Sequence, residues 1–180
     1  MRTFMAIEVS KEVSEKISDI QIYLKSNDFF GSWPSIDNAH LTLFFFGDLE
    51  NGKIEKVKDA MDESSKQFEK FSITVEGTGI FPSKGLPRVV WMGCNGNEIS
   101  DLYFKIEGVL KKKGFVFENR FTPHLTIGRL KGLPKNWSEV ISQIQYEPLT
   151  FECDEISLFS STLTPKGSIY RSIHKSELGG

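Results

Sequence analysis

The chain is predicted to fold as α+β, and three features of its sequence point there. Segments that alternate apolar and polar residues are mixed with segments of helical period, without a strict strand–helix–strand rhythm. Several neighbouring strand segments lie close enough along the chain to pair antiparallel. The order of elements also repeats in the second half. With 180 residues, 39% of them hydrophobic, the chain suits one domain or two small lobes sharing a core. It can bury that core without metals or disulfides.

The elements run in order. Thr3 to Val9 reads as a strand. Ser10 stands as an N-cap before a helix whose apolar face is Val13, Ile17, Ile20 and Leu24. Gly31-Ser32-Trp33-Pro34 and Ser35 to Asn38 are turn-rich, and His40 to Phe46 is a strand ended by Gly47 and Asp48. Asn51 to Phe68 is a second amphipathic helix, with Ile54, Val57, Met61 and Ser65 along one stripe. Phe71 to Ile80 and Pro87 to Cys94 are strands. Glu98 to Lys113 is a third helix on an apolar stripe of Ile99, Leu102, Ile106, Val109 and Leu110, stopped by Gly114. Lys111, Lys112 and Lys113 at its end complement the helix dipole on a solvated face. His124 to Leu130 is a strand, and Lys135 to Gln145 carries a less regular helical pattern. Thr150 to Ser161 and Ser168 to His174 read as the last two strands.

Composition removes several function classes. A net charge of -2 and 26% charged residues do not suggest disorder, nor a protein that coats nucleic acid non-specifically. They leave room for a local phosphate site. No run of 18 apolar residues exists, so no membrane association is expected. The apolar start meets Glu8 too soon for a secretory signal. Cys94 and Cys153 match no zinc or redox spacing, and they read as reduced thiols of a cytoplasmic protein.

Histidine is scarce: 3 His stand beside 15 Phe. Two of the three open nearly identical tetrapeptides, His40-Leu41-Thr42-Leu43 and His124-Leu125-Thr126-Ile127. With 14 Leu and 9 Thr in the chain, a given His is followed by Leu-Thr by chance about four times in a thousand. On a strand, residues i and i+2 share a face. Each motif therefore sets one imidazole beside one hydroxyl, with Leu41, Leu43, Leu125 and Ile127 facing the other way. Brought together, two such strands suit in-line cleavage of a P–O bond. One His takes a proton from the nucleophile and the other protonates the leaving oxygen. Thr42 and Thr126 donate to the non-bridging oxygens. A single copy would be better read as ordinary strand residues; the repeat favours function. No third His, Glu or Cys falls at a convincing spacing for a catalytic zinc, so neither a metal nor a cofactor is expected. His174 reads as an incidental surface residue.

With these motifs the chain resembles the 2H phosphoesterase superfamily, and more narrowly the RNA 2′,3′-cyclic phosphodiesterases historically called 2′-5′ RNA ligases. The likeness spans nearly the whole chain. It includes Arg2-Thr3-Phe4-Met5-Ala6-Ile7-Glu8, the His40 motif through Gly47, and Gly79-Ile80-Phe81-Pro82-Ser83. It continues through Pro87-Arg88-Val89-Val90-Trp91-Met92-Gly93, Pro123 to Arg129, and Ser161-Thr162-Leu163-Thr164-Pro165-Lys166-Gly167. Phe45-Phe46-Gly47 replaces the usual Phe-Leu-Gly, and Gly179-Gly180 are expected to fray.

The resemblance implies a single domain over residues 1–180, made of two intertwined, pseudo-symmetric lobes. Each lobe is an antiparallel sheet with outer helices, and the active-site cleft between them receives one motif from each. It further implies hydrolysis of an RNA 2′,3′-cyclic phosphate end, or of a cyclic nucleotide, to a 2′-phosphate by a monomer, with 2′-5′ ligation as the reverse reaction. His40 would protonate the departing 3′-oxygen, His124 would activate water, and Thr42 and Thr126 would hold the phosphate. Phe45 and Arg129, each five residues after its His, would flank the nucleobase. Strand parity opposes this, because an offset of five reverses the face. The reading therefore requires a bulge or strand end, for which Gly128 is a candidate. Core packing suits Phe45 equally, and Phe44 is an alternative platform. Related substrates with the same catalytic groups are small cyclic nucleotides, 2′-5′ oligoadenylates and ADP-ribose cyclic phosphate. A binding module without chemistry is a third reading.

Overall fold

A computed structural model describes residues 1–118 and 120–179. Among these residues, nine strands form two wholly antiparallel sheets, so the α+β expectation is met. The strands are β1 (Arg2–Glu8), β2 (Phe30–Ser32), β3 (His40–Asp48), β4 (Phe71–Phe81), β5 (Val89–Asn95), β6 (His124–Gly132), β7 (Leu149–Cys153), β8 (Glu155–Thr164) and β9 (Gly167–Glu177). The helices are α1 (Lys11–Ser26), α2 (Asn51–Ser65), α3 (Asn97–Lys112) and α4 (Trp137–Ser142). One sheet has the order β3-β1-β8-β9 and the other β2-β6-β5-β4-β7.

The helices form where the apolar stripes lie. Ser10 accepts a hydrogen bond from the Val13 amide and caps α1, which buries Val13, Ile17, Ile20 and Leu24. This helix packs against β6 and β7, whereas α2 lies on β8 and β9 and against α3. One core joins the three helices to the inner faces of both sheets, with Met5, Leu41, Val57, Ile106 and Ile127 all fully buried or nearly so. The opposite face of β1 and β8 carries a separate aromatic patch of Phe4, Ala6 and Phe159.

Several expected boundaries move. The segment from Thr150 to Ser161 is two strands: the chain leaves one sheet at Cys153 and enters the other at Glu155, with Asp154 as the hinge. The Asp154 carbonyl accepts from the Leu178 amide. The apolar phase slips by one residue here, from Phe151 and Cys153 to Ile156 and Leu158 across the polar pair Asp154-Glu155, a break that the single-strand expectation passed over. Gly31 and Ser32, expected in a turn, join Phe30 in an edge strand on β6. The second helix ends at Ser65, because Gln67 and Phe68 bond back only three residues. The helical pattern near Lys135 shrinks to Trp137–Ser142.

The C-terminal end is better anchored than expected. His174 is held at 2.8 Å from Asp62 Oδ1 on α2, and Ser176 donates to the same oxygen at 2.5 Å. A bulge between the pairs Leu158–His174 and Phe159–Ser172 turns His174 toward the helix. Gly179 donates its amide to Phe68 at 2.6 Å, so it is held and not frayed; Gly180 lies outside the described residues. Partial burial opposes ionisation of Asp62, but the bonds from Ser176 and His174 outweigh it and hold the carboxyl below its ordinary pKa. A carboxylate depressed in the fold stabilises above its unfolded pKa, and that contribution disappears as the pH falls through the folded value. Asp62→Ala should therefore lower stability by about 1 kcal/mol at pH 7, a modest figure because the side chain is half-exposed. The difference from wild type should shrink in urea titrations carried out below the carboxylate range.

Candidate active site

The two repeated motifs begin β3 and β6, and these strands approach each other across the gap between the sheets. A cleft of about 470 Å³ lies there, and His40, Thr42, Phe45, His124, Thr126 and Arg129 all line it. The structure thus brings together all six residues singled out in the sequence.

Backbone irregularity makes this possible. In β3, Ala6 pairs with Thr42 but Met5 pairs with Phe44, so Leu43 is an extra residue. In β6, Trp91 pairs with Thr126 but Val90 pairs with Gly128, so Ile127 is extra. Each bulge falls directly after a His-Leu-Thr triplet and reverses the facing of the residues beyond it. Leu43 and Phe44 are consequently both buried, and Phe45 returns to the cleft, 57% exposed. In the same way Ile127 and Gly128 are buried and Arg129 is exposed in the cleft. The bulge required by strand parity exists in both motifs. Phe44 is not a platform for a ligand: its ring stacks on Tyr103 of α3, 4.5 Å between centroids.

Gly128 has a role beyond permitting a bulge. A Cβ at this position would approach the Trp33 ring to 2.6 Å. Gln21, buried on α1, donates its amide to the Ile127 carbonyl at 3.0 Å and to the Pro34 carbonyl at 2.8 Å. It thereby satisfies the carbonyl of the inserted residue. Sequence reasoning missed Gln21, although a polar residue four positions after Ile17 on an otherwise apolar face was a usable signal.

The histidines sit in aromatic surroundings. His40 stacks on Phe4 at 4.8 Å, with the edge of Tyr170 at 5.3 Å and Phe159 at 6.0 Å. Burial there pushes its pKa down to about 4, against an opposing bond to the Asn38 backbone. His124 has Phe81 edge-on at 5.2 Å and Trp91 at 6.4 Å. Its Nδ1 lies 2.7 Å from the Thr122 carbonyl. A carbonyl can only accept, so Nδ1 carries the proton and Nε2 is the acceptor of the neutral ring. Trp91 in turn lies against Gly79, where any Cβ would collide with the indole.

Other cleft residues escaped the sequence reading. Arg2 places its guanidinium 5.3 Å from the Phe45 ring centroid. Tyr170 and Ser168 enter from β9, and Asn38 donates its side-chain amide to the Ser168 carbonyl at 3.0 Å. Among the described residues no group of three His, Cys, Asp or Glu side chains is placed to hold a metal ion.

The sequence and the fold match known proteins. Residues 10–164 match the family described as the 2′-5′ RNA ligase superfamily. A Thermotoga maritima protein named RNA 2′,3′-cyclic phosphodiesterase is 39% identical, covering 100% of this chain and 97% of its own. A Methanothermobacter thermautotrophicus protein of the same name is 37% identical over 94% of this chain and 95% of its own. In fold, a crystal structure of a Thermus thermophilus protein superposes with a TM-score of 0.85 at 22% identity, covering 100% of this chain and 99% of that one. Apo LigT from E. coli superposes with a TM-score of 0.78 at 20% identity over 99% and 98% of the two chains.

Two outcomes are expected from the geometry. Gly128→Ala should cost about 1–3 kcal/mol in chemical denaturation, because Trp33 or the bulge must move. In an NMR titration the His40 ring should remain neutral until the pH approaches about 4. A midpoint near the ordinary histidine value would contradict its burial.

Proposed function

The chain belongs to the 2′-5′ RNA ligase superfamily, and on that basis we propose that it hydrolyses RNA 2′,3′-cyclic phosphate ends to 2′-phosphates. The observation that carries this reading is the pairing of two histidine–threonine sets across one cleft, each set followed by the same bulge. The curated relatives' name, RNA 2′,3′-cyclic phosphodiesterase, agrees with it.

In the proposed mechanism, water attacks phosphorus in line with the bond to the 3′-oxygen. The His124 Nε2 lone pair accepts the water proton, and its tautomer is already fixed by the Thr122 carbonyl. As the P–O3′ bond breaks, His40 delivers a proton to the departing oxygen, which leaves a 3′-hydroxyl and a 2′-phosphate. Thr42 and Thr126 donate to the non-bridging oxygens, where charge builds in the transition state. The same groups, working in the same direction, form a 2′-5′ linkage when an RNA 5′-hydroxyl takes the place of water: His124 accepts its proton and His40 protonates the departing 3′-oxygen. Phe45 and Arg129 hold the terminal base between a ring and a guanidinium.

An acid role for His40 has a condition, since the ring is neutral in the free protein at pH 7. An anionic phosphate diester beside the imidazole favours its charged form. Substrate and proton therefore enter together. The reading treats residues 1–180 as one domain acting as a monomer; that both motifs line one cleft supports the single domain. Buried, unpaired Cys94 and Cys153, with burial pushing both thiols up to about 12, support a reducing, cytoplasmic setting. No helix of the described residues is long and apolar enough to cross a membrane.

Purified protein should convert an RNA with a 2′,3′-cyclic phosphate end to the 2′-phosphate, and EDTA should not reduce the rate. His40→Ala and His124→Ala should each lower the rate about 10²–10⁴-fold, and Thr42→Ala or Thr126→Ala about 10²-fold. Full activity in either histidine variant would refute the reading. Binding of 3′-AMP at pH 7 should take up about one proton per site through His40, read calorimetrically as heat that varies with the ionisation enthalpy of the buffer.

A further inference from the structure

Past Arg129 the strand β6 leaves the cleft and becomes one wall of a second, larger groove of about 1080 Å³. Its cationic side chains are Arg88, Lys131 and Lys135, and Trp137 and Leu133 supply apolar walls. Among the described residues, no Asp or Glu lines this groove. The chain as a whole carries a net charge of -2, so a lining of three cations and no anion is a local concentration of charge. Among the described residues, none of the three lies within ion-pair distance of a carboxylate. All three are exposed.

The groove adjoins the cleft along β6: Arg129 lines the cleft, and the next two residues, Leu130 and Lys131, line the groove. Arg129 pairs with Val89 on β5, and Leu130 donates its amide to the carbonyl of Arg88, itself a groove residue, at 2.7 Å. Lys131 stands about 6.6 Å beyond Arg129 along the strand. Unpaired cations beside an aromatic wall, next along the strand to the cleft, suit a single-stranded polyanion with π-faced bases.

We propose that this groove binds the single-stranded RNA segment that precedes the cyclic phosphate end, with Arg88, Lys131 and Lys135 on its phosphates and Trp137 against a base. The proposal rests on the reaction assigned to the cleft. It adds that the protein selects oligonucleotide ends over free cyclic mononucleotides. Phosphate contacts of this kind carry no sequence information, so the preference is for length and not for a particular sequence.

The test compares two substrates, a 2′,3′-cyclic mononucleotide and a short single-stranded RNA ending in the same cyclic phosphate. Substitution of Arg88, Lys131 and Lys135 together by Ala should raise KM for the RNA about tenfold or more and leave turnover of the mononucleotide unchanged. Three lost phosphate contacts should also flatten the dependence of log kcat/KM on log salt by about 2 for the RNA. Equal losses on both substrates, or no loss on the RNA, would overturn the groove. Should wild-type protein turn over neither substrate, the reading of the cleft fails independently. Fluorescence anisotropy with a labelled single-stranded RNA then decides the groove: weaker binding by the triple variant supports it, and unchanged binding refutes it.

Discussion

One inserted residue per motif governs the site. A β-strand presents alternate side chains to alternate faces, so an unbroken strand offers a cleft only every second residue. The chemistry proposed for the cleft needs an imidazole, a hydroxyl two residues later, and a ring or guanidinium three residues after that. Those offsets cannot share a face of a regular ladder. Leu43 and Ile127 resolve the conflict by dropping out of register, so that the residue after each, Phe44 or Gly128, is buried beside it and the next one faces the cleft. Much of the surrounding packing then reads as support. Gln21 satisfies the carbonyl of Ile127, Trp33 fills the space that Gly128 leaves, and Phe44 and Tyr103 stack beneath the first bulge.

How much of this was legible depends on the range of the interaction. The helices α1 and α3 could be read because their apolar stripes, the Ser10 cap and the Gly114 stop are all local. The His-Leu-Thr repeat could be read because it is a short pattern in a histidine-poor chain. Parity even indicated that a bulge or a strand end had to intervene, but it could not place the bulge in β3, where no glycine marks the spot. The change of sheet left only a small trace. The apolar phase slips by one residue across Asp154-Glu155, which marks a break but not a new sheet, and only long-range pairing assigns β7 and β8 to different sheets. Phe30–Ser32 has no strand pattern of its own and becomes one through its partner β6. Arg2 and Tyr170 belong to the cleft through contacts that no sequence spacing encodes.

The two histidines share a design and differ in electrostatics. Each stands in an aromatic enclosure and has a backbone partner two residues upstream, Asn38 for one and Thr122 for the other. His40 is boxed in by Phe4, Phe159 and Tyr170, and desolvation removes its proton in the free protein. The field of a bound phosphate opposes that desolvation. The enclosure that lowers the charge of the empty cleft also ensures that the charge, once restored, is poorly screened. This makes His40 responsive to what the cleft contains.

The order β3-β1-β8-β9 also bears on how the protein comes into being. The first strand of the chain sits in the middle of its sheet, between β3 and a strand that is synthesised only after residue 154. As the chain leaves the ribosome, β1 and β3 can pair early, but the other edge of β1 must wait for nearly the entire remaining sequence. Until then a run of Phe4, Met5, Ala6 and Ile7 carries an open ladder that another chain could occupy. The late strand β8 thus closes the first, and a nascent chain cut short before Glu155 would leave one edge of its most buried strand open to its neighbours.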